Sequence, residues 1–444
     1  MKKATWFFSL MALFTGLSLA QSREHSAGAS QILPQRTPGE AEKIMGYDIA
    51  PRSIDRTEAE TAGGAIQYPT NTNLGYKGIV MAEFDSYDEN DEIMVDFGSL
   101  GLWYYNAGVW TQMSGVNPEG MISATLLNVN DDELVVDFGS LGLWMIWDPA
   151  TVTWYQLSGV DPDGMFSTDD DNDGRDELHV DFGSLGLWRY DLDNSSWIQL
   201  SGLDPLLGLR MDAGYAGYEE GCHMFLTHGV WNIYGSPPVY IQLTGTVTAN
   251  DDHASAKFTN SAGAEDLIVD FGGLGLWLYK EDLSGWVQAS SMSANRVKEV
   301  KFAGTQDYEL LAEDNVGGLY WGNWNGGGMT WTLITDDDIG PGSAWCETFD
   351  IDGNDNGDEE VVIPWAAGGA GLFDYSAGSV LMKNFISSSY FIKYLVKGDY
   401  YNRGYDSTLA VVYVAPSPQV GIFLTEPGTG AGNWITHQIP DGLY

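Results

Sequence analysis

The octapeptide DFGSLGLW constrains this chain more than any other feature. It occurs verbatim at 96–103, 137–144 and 181–188, and a fourth copy at 270–277 differs only by Gly273 in place of Ser. A fixed period outranks any local reading, because each repeat must stack on its neighbours to bury an apolar face. Trp103, Trp144 and Trp188 lie 41 and 44 positions apart, and Trp277 lies 89 further on, about two periods. A worn copy therefore belongs midway, and GCHMFLTHGVW, ending at Trp231, supplies it. ELLAEDNVGGLY aligns without a gap and ends at Tyr320, and looser copies end at Phe373 (AGGAGLF) and Phe423 (QVGIF). Eight repeats thus fill the chain from about Lys77 to Tyr444.

Every repeat has one grammar, clearest in the third. A short strand ends near Phe166, and the acidic loop DDDNDGRDEL follows. LHVDF alternates as a strand, Gly183-Ser184 turns the chain, and LGLWRYD and SWIQLSG are two further strands. Four short strands per repeat of roughly 40–50 residues predict an all-β propeller with four-stranded blades, eight by repeat count, with seven as the alternative. Gly98, Gly139, Gly183 and Gly272 are expected at turns requiring positive φ. The second glycine of the motif is expected to let one blade pack closely on the next. The motif tryptophans, with a second aromatic set on the outer strand (Trp110, Trp154, Trp197, Tyr240, Trp286, Trp331, Trp434), are expected to fill the space between blades. The last repeat ends in the same phase as the first, so the final blade is expected to be complete without a borrowed N-terminal strand.

The 62 Asp and Glu residues against 20 Lys and Arg give a formal charge of −42. That balance argues against nucleic acid and anionic membrane surfaces as partners and favours cations or a saline exterior. Residues 1–20 read as a secretory signal, with Lys2 and Lys3 before the apolar run Trp6 to Leu19 and small residues at Ser18 and Ala20. A secreted or periplasmic location follows, with no membrane insertion. Residues 21–76 are polar and read as a linker or arm, with one short helix signalled by Thr37-Pro38-Gly39-Glu40. The propeller takes 77–444. Cys222 and Cys346 fall in repeats that should not be neighbours, so two free, buried thiols are expected.

The acidic loop of repeat three carries the most specific chemistry. Asp169, Asp171, Asp173 and Glu177 place oxygens at loop positions 1, 3, 5 and 9, with Gly174 at 6 for a sharp turn. Calcium takes six to eight oxygens, and carboxylates on alternate loop residues converge on one point. Repeat seven has the same spacing in Asp352, Asn354, Asn356 and Glu360. Its amides carry less charge, so weaker binding is expected. These loops resemble the FG-GAP or VCBS repeat of integrin-α-like propellers, which carry a D-x-D-x-D-G-x-x-D-L calcium loop between the first two strands of a blade. The resemblance implies a propeller, typically seven-bladed, calcium as the bound ion, and protein or glycan partners at a cell surface.

Glu92, Glu133, Glu220, Asp266 and Glu309 lie eleven residues before their motif aromatic, as Glu177 does, but their loops lack the full ligand set. Turn acids that accept backbone N–H groups are expected there, and the motif Asp is expected to cap its turn. Repeat four is anomalous, with Cys222, His223 and His228 close together, yet a strand would point Cys222 and His223 to opposite faces. The remaining histidines, at 25, 179, 253 and 437, are scattered, and no Ser/His/Asp grouping, nucleotide loop or zinc spacing appears. The sequence therefore favours a monomeric, non-catalytic binding propeller for protein or glycan. Its rivals are a polysaccharide-acting lyase or hydrolase with acids at the propeller mouth, and a purely structural surface module.

Overall fold

The computed structural model describes residues 78–438 apart from 86–89, 129–130, 193–194, 213–218, 226–227, 246–252, 260–263, 281–284, 303–307, 327, 337–345, 350–358, 366–367, 377–378, 387–390, 399–407, 415–419 and 426–433. The expected signal at 1–20 and the expected arm at 21–76 lie outside the described residues, as do Asp352, Asn354 and Asn356.

Eight four-stranded antiparallel sheets follow one another in chain order, at 79–114, 120–158, 164–201, 207–244, 253–288, 294–335, 347–386 and 391–438. They are numbered sheets 1 to 8 below. Sheet 3 shows the pattern: Gly164–Thr168, Glu177–Asp181, Leu187–Asp191 and Ser196–Ser201 pair in sequence. The first strands of successive sheets lie beside one another, and Ile79–Ala82 of sheet 1 meets Phe391–Gly398 of sheet 8. The assembly is a β-propeller whose first strands line the axis. Sheet 8 draws its four strands from the C-terminal region alone. Closure comes from packing: Ile79, Met81, Ile93 and Trp103 of sheet 1 share one apolar cluster with Val396, Ile422 and Leu424 of sheet 8.

Alternation in the second strands places apolar side chains on both faces, one toward each neighbouring sheet. Leu178 and Val180 pack with Val135, Met145 and Leu157 of sheet 2. The two aromatic sets divide the work. Each motif tryptophan donates its indole N–H to its own turn, as Trp188 does to Leu185 O at 2.9 Å. Five of the outer aromatics reach back to the preceding sheet: Trp154 to Met113 O, Trp197 to Leu157 O, Tyr240 to Leu200 O, Trp286 to Leu243 O and Trp331 to Ala289 O. One ring thus buries apolar area, worth roughly 1.5–3 kcal/mol, and satisfies its polar tip across a seam.

The motif turn is a short 3-10 segment, Gly183–Leu185 in sheet 3. Its first glycine has φ near 60° in sheets 1 to 3. The second glycine packs on its own sheet and not on the next. A Cβ at Gly142 would stand 2.2 Å from Ser158 O of the fourth strand of sheet 2, and φ there is 82°. Both free thiols are buried.

Candidate functional site

The first-to-second-strand loops open at one end of the ring. The motif turns and the connectors to the next sheet lie at the other, because the strands alternate in direction. At the loop end, one acid in each of sheets 1, 2, 3, 5 and 6 has a backbone task. Glu92 accepts Phe84 N at 2.8 Å, Glu133 accepts Leu126 N at 2.8 Å, Glu177 accepts Asp170 N at 3.0 Å, Asp266 accepts Thr259 N at 2.9 Å, and Glu309 accepts Phe302 N at 2.7 Å. Four of the five acids of the incomplete loops, Glu92, Glu133, Asp266 and Glu309, are turn acids as their sequences suggested, and Glu177 shares the role with one oxygen.

In sheet 3 the same acid has further company. Oxygens of Asp169, Asp171 and Glu177 lie within 4.8 Å of one another. Asp169 accepts Asp173 N and Gly174 N, both at 3.0 Å, which closes the loop around Gly174 at φ 90°. Asp171 Oδ1 is buried without a hydrogen-bond partner among the described residues. Burial, then the charges of Asp170 and Asp171, pushes the Glu177 carboxyl up to about 10. Asp173 departs from expectation: its carboxylate turns to Arg175, accepting its backbone N–H at 2.9 Å and its guanidinium at 3.2 Å. Glu360, the described member of the second predicted set, opens the second strand of sheet 7.

Sheets 1 and 6 supply an internal comparison. At the same third-strand position, Asn106 donates to Glu92 Oε1 at 3.3 Å and Asn323 donates to Glu309 Oε1 at 3.2 Å. Sheet 3 has Asp191 there, 5% exposed. Asp191 has no amide N–H to donate to Glu177, and burial, then the charges of Asp173, Asp170 and Asp191, push the Asp171 carboxyl up. Cations therefore fit this donor set better than amides do.

Sequence reasoning missed the polar seam between sheets 3 and 4. Asp170, fully buried, accepts two bonds from Arg189 Nη1 at 2.7 and 2.9 Å and meets His179 Nε2 at 3.0 Å. His179 Nδ1 lies 2.9 Å from His223 Nε2, with the ring planes 5° apart. Arg189 Nη1 also donates to Gly235 O of sheet 4 at 2.9 Å. Burial alone would raise the Asp170 carboxyl, but the His179 bond and the guanidinium hold it below the usual range. Burial pushes both imidazoles down. An ionised Asp170 only accepts, so His179 carries its proton on Nε2 and accepts from His223 Nε2–H at Nδ1. His253 of sheet 5, whose charge further depresses His223, completes a group of three. The scattered histidines are thus partly one cluster. Cys222 and His223 do face opposite ways, for Cys222 packs toward sheet 5.

At the opposite end, carboxylates gather in an arc. Glu119, Asp137 and Asp161 form one group, and Asp163, Asp181 and Asp204 repeat it one sheet on. The motif acids Asp137 and Asp181 are buried and cap their turns through Gly139 N and Gly183 N at 2.7 and 2.8 Å. The other four are exposed at the starts of first strands or in the connectors before them.

The fold and these sites define a β-propeller with a polyacidic loop. No protein-family model matches the chain, and no curated protein matches it in sequence. Among solved structures, the Dos1 propeller aligns with TM-score 0.53 and 11% identity, covering 82% of this chain and 95% of that one. BBS1N in its complex with ARL6DN aligns with TM-score 0.45 and 11% identity over 83% and 97% of the two chains. The BP39L lectin from Burkholderia pseudomallei aligns with TM-score 0.45 and 10% identity over 83% and 100%. At such identities the likeness is one of fold.

Proposed function

We propose that this chain is an exported, non-catalytic binding propeller of the FG-GAP or VCBS type, stabilised by calcium and directed at a protein or glycan. One observation carries the ion reading: Asp169, Asp171 and Glu177 bring their oxygens together beside buried Asp191, whereas the similar trio Glu83, Asp85 and Glu92 of sheet 1 already receives hydrogen bonds from Asn106. Calcium suits such a set because it accepts six to eight oxygens in flexible geometry, whereas magnesium demands a tighter octahedron. Repeat seven, with Glu360 and its amide-bearing partners, is the weaker second site. The exposed carboxylates Glu119, Asp161, Asp163 and Asp204 make one mouth of the ring acidic, which favours a basic protein surface or a glycan bridged through cations.

Isothermal titration of the full chain with calcium chloride, and melting in chelator against millimolar calcium, test the ion reading. Saturable binding and a raised melting temperature are expected, since an ion bound only to the native state stabilises by mass action. Superimposed melting curves with no binding heat would refute it. A glycan array scored for both retention and product tests the second part. Retention without turnover is expected, and released product would move the chain to the enzyme class.

A further inference from the structure

The seam between sheets 3 and 4 differs from the other seams at matched positions. Across the second and third strands, the pair His179 and Arg189 stands where other sheets have Met94 and Tyr104, Val135 and Met145, Ile268 and Leu278, or Leu311 and Trp321. Asp170 stands where Leu126 and Phe302 are buried with the same bond from their backbone N–H to the turn acid. His223 stands where Val95, Val136, Val180 and Val269 pair with a motif tryptophan. Two glycines make room for the exchange. A Cβ at Gly221, where the second strands of sheets 2, 3, 5 and 6 have leucine and that of sheet 1 isoleucine, would lie 2.6 Å from His179 and 2.8 Å from His223 Nε2. A Cβ at Gly208, where Met121 and Met165 stand, would lie 2.6 Å from Phe166 and 3.1 Å from His223 Nδ1. Burying Asp, Arg and two His in place of hydrocarbon is costly or at best neutral for stability. Arg189 Nε and Nη2 have no hydrogen-bond partner among the described residues. Stability therefore does not account for the seam.

Position along the chain does. Asp170 lies between Asp169 and Asp171. Its carboxylate is fixed inward by Arg189 and His179, and its N–H is tied to Glu177 Oε2. Its carbonyl accepts Gly235 N of sheet 4 at 2.8 Å. The residue has no freedom to rotate, so the flanking carboxylates are held near Glu177 before any ion arrives. We propose that Asp170, Arg189, His179 and His223 form a positioning assembly through which the packing of sheet 4 on sheet 3 sets the ion affinity of loop 169–177. The inference rests on the calcium reading above. None of the four need touch the ion. Outer-shell groups of this kind act by fixing the ligands that do, and preorganisation lowers the entropy lost on binding.

The test compares calcium binding by titration in the full chain. His223→Val, on the neighbouring sheet, should weaken the Kd about tenfold, the lower end of what outer-shell changes produce. A second variant gives the seam the apolar pattern of the other sheets: Asp170→Leu, His179→Val, Arg189→Met, Gly208→Met, Gly221→Leu and His223→Val together. It keeps Asp169, Asp171, Asp173 and Glu177. It should melt no lower than the unaltered protein in chelator yet bind calcium at least as weakly as His223→Val. A third measurement needs no variant. In the unaltered protein, calcium should slow amide exchange at 220–225 as well as in the loop. Unchanged Kd in either folded variant, or protection confined to the loop, overturns the inference while leaving the calcium reading intact. Absence of calcium binding by the unaltered protein overturns both.

Discussion

Single residues carry two of the strongest constraints. At Gly142 the backbone adopts φ 82° and ψ −163°, a region open essentially to glycine, and Ser158 O blocks a Cβ at 2.2 Å. Gly142→Ala should cost about 1–3 kcal/mol from the backbone alone, with the steric overlap in addition. Urea unfolding measures it, and a loss below about 0.5 kcal/mol would contradict the close approach described here. The glycine was legible in the sequence as a required residue, but its partner was not: spacing suggested the neighbouring blade, while the contact is with the fourth strand of the same sheet. Asp191 was not legible at all, since one Asp ending a strand carries no motif. Its meaning comes from Asn106 and Asn323 at the matched position. Asp191→Asn removes a like charge beside Asp171 and a countercharge of buried Arg189, so the melting temperature in chelator should change little, while the rise that calcium produces should shrink. A purely structural role would shift both curves alike.

The acidic loop belongs to the scale of elements. Its spacing announced an oxygen-rich turn with Gly174 at the bend, and the oxygens of Asp169, Asp171 and Glu177 do converge. Asp173 has the right spacing and the wrong direction, because Arg175 two residues on takes its carboxylate. Asp171→Ala should therefore remove more of the calcium-dependent rise in melting temperature than Asp173→Ala. Equal losses would mean that Asp173 abandons Arg175 when the ion binds. Asp171→Ala should also leave the loop closed in chelator, since Asp169 and not Asp171 accepts its backbone N–H groups. Limited proteolysis of the chelated variant checks this, and new cleavage between 169 and 177 would count against it.

For the whole molecule, buried carboxylates set the pH response. Burial pushes the Asp137 and Asp181 carboxyls up to about 8 and Asp96 to about 7, from an ordinary 3.8. Between those values the fold holds protons that the unfolded chain releases, so stability falls as pH rises. The buried histidines work the other way, but only below their ordinary 6.5. Between neutrality and pH about 8 the carboxylates act alone. In chelator, the urea midpoint should fall over that interval and keep falling above it, since Glu177 is pushed up to about 10 and burial raises both thiols. A midpoint that rises with pH there would show these acids already ionised in the fold.

The repeat alone determined the all-β propeller, the four strands per unit, the turn glycines, the capping role of the motif acids and the apolar filling between sheets. All of these recur in most units, so each copy confirms the others, and each depends on contacts within about 40 residues or one sheet on. What departs from the repeat needed the tertiary structure. His179 and His223 are 44 residues apart and look like unrelated substitutions, each in a strand whose neighbours are apolar. Only the stacking of sheet 3 on sheet 4 turns their side chains toward one another, and only that contact explains why Gly208 and Gly221 replace larger residues. Periodicity records what every unit must do. A contact made at one seam leaves no period, and its chemistry exists only where the two faces meet.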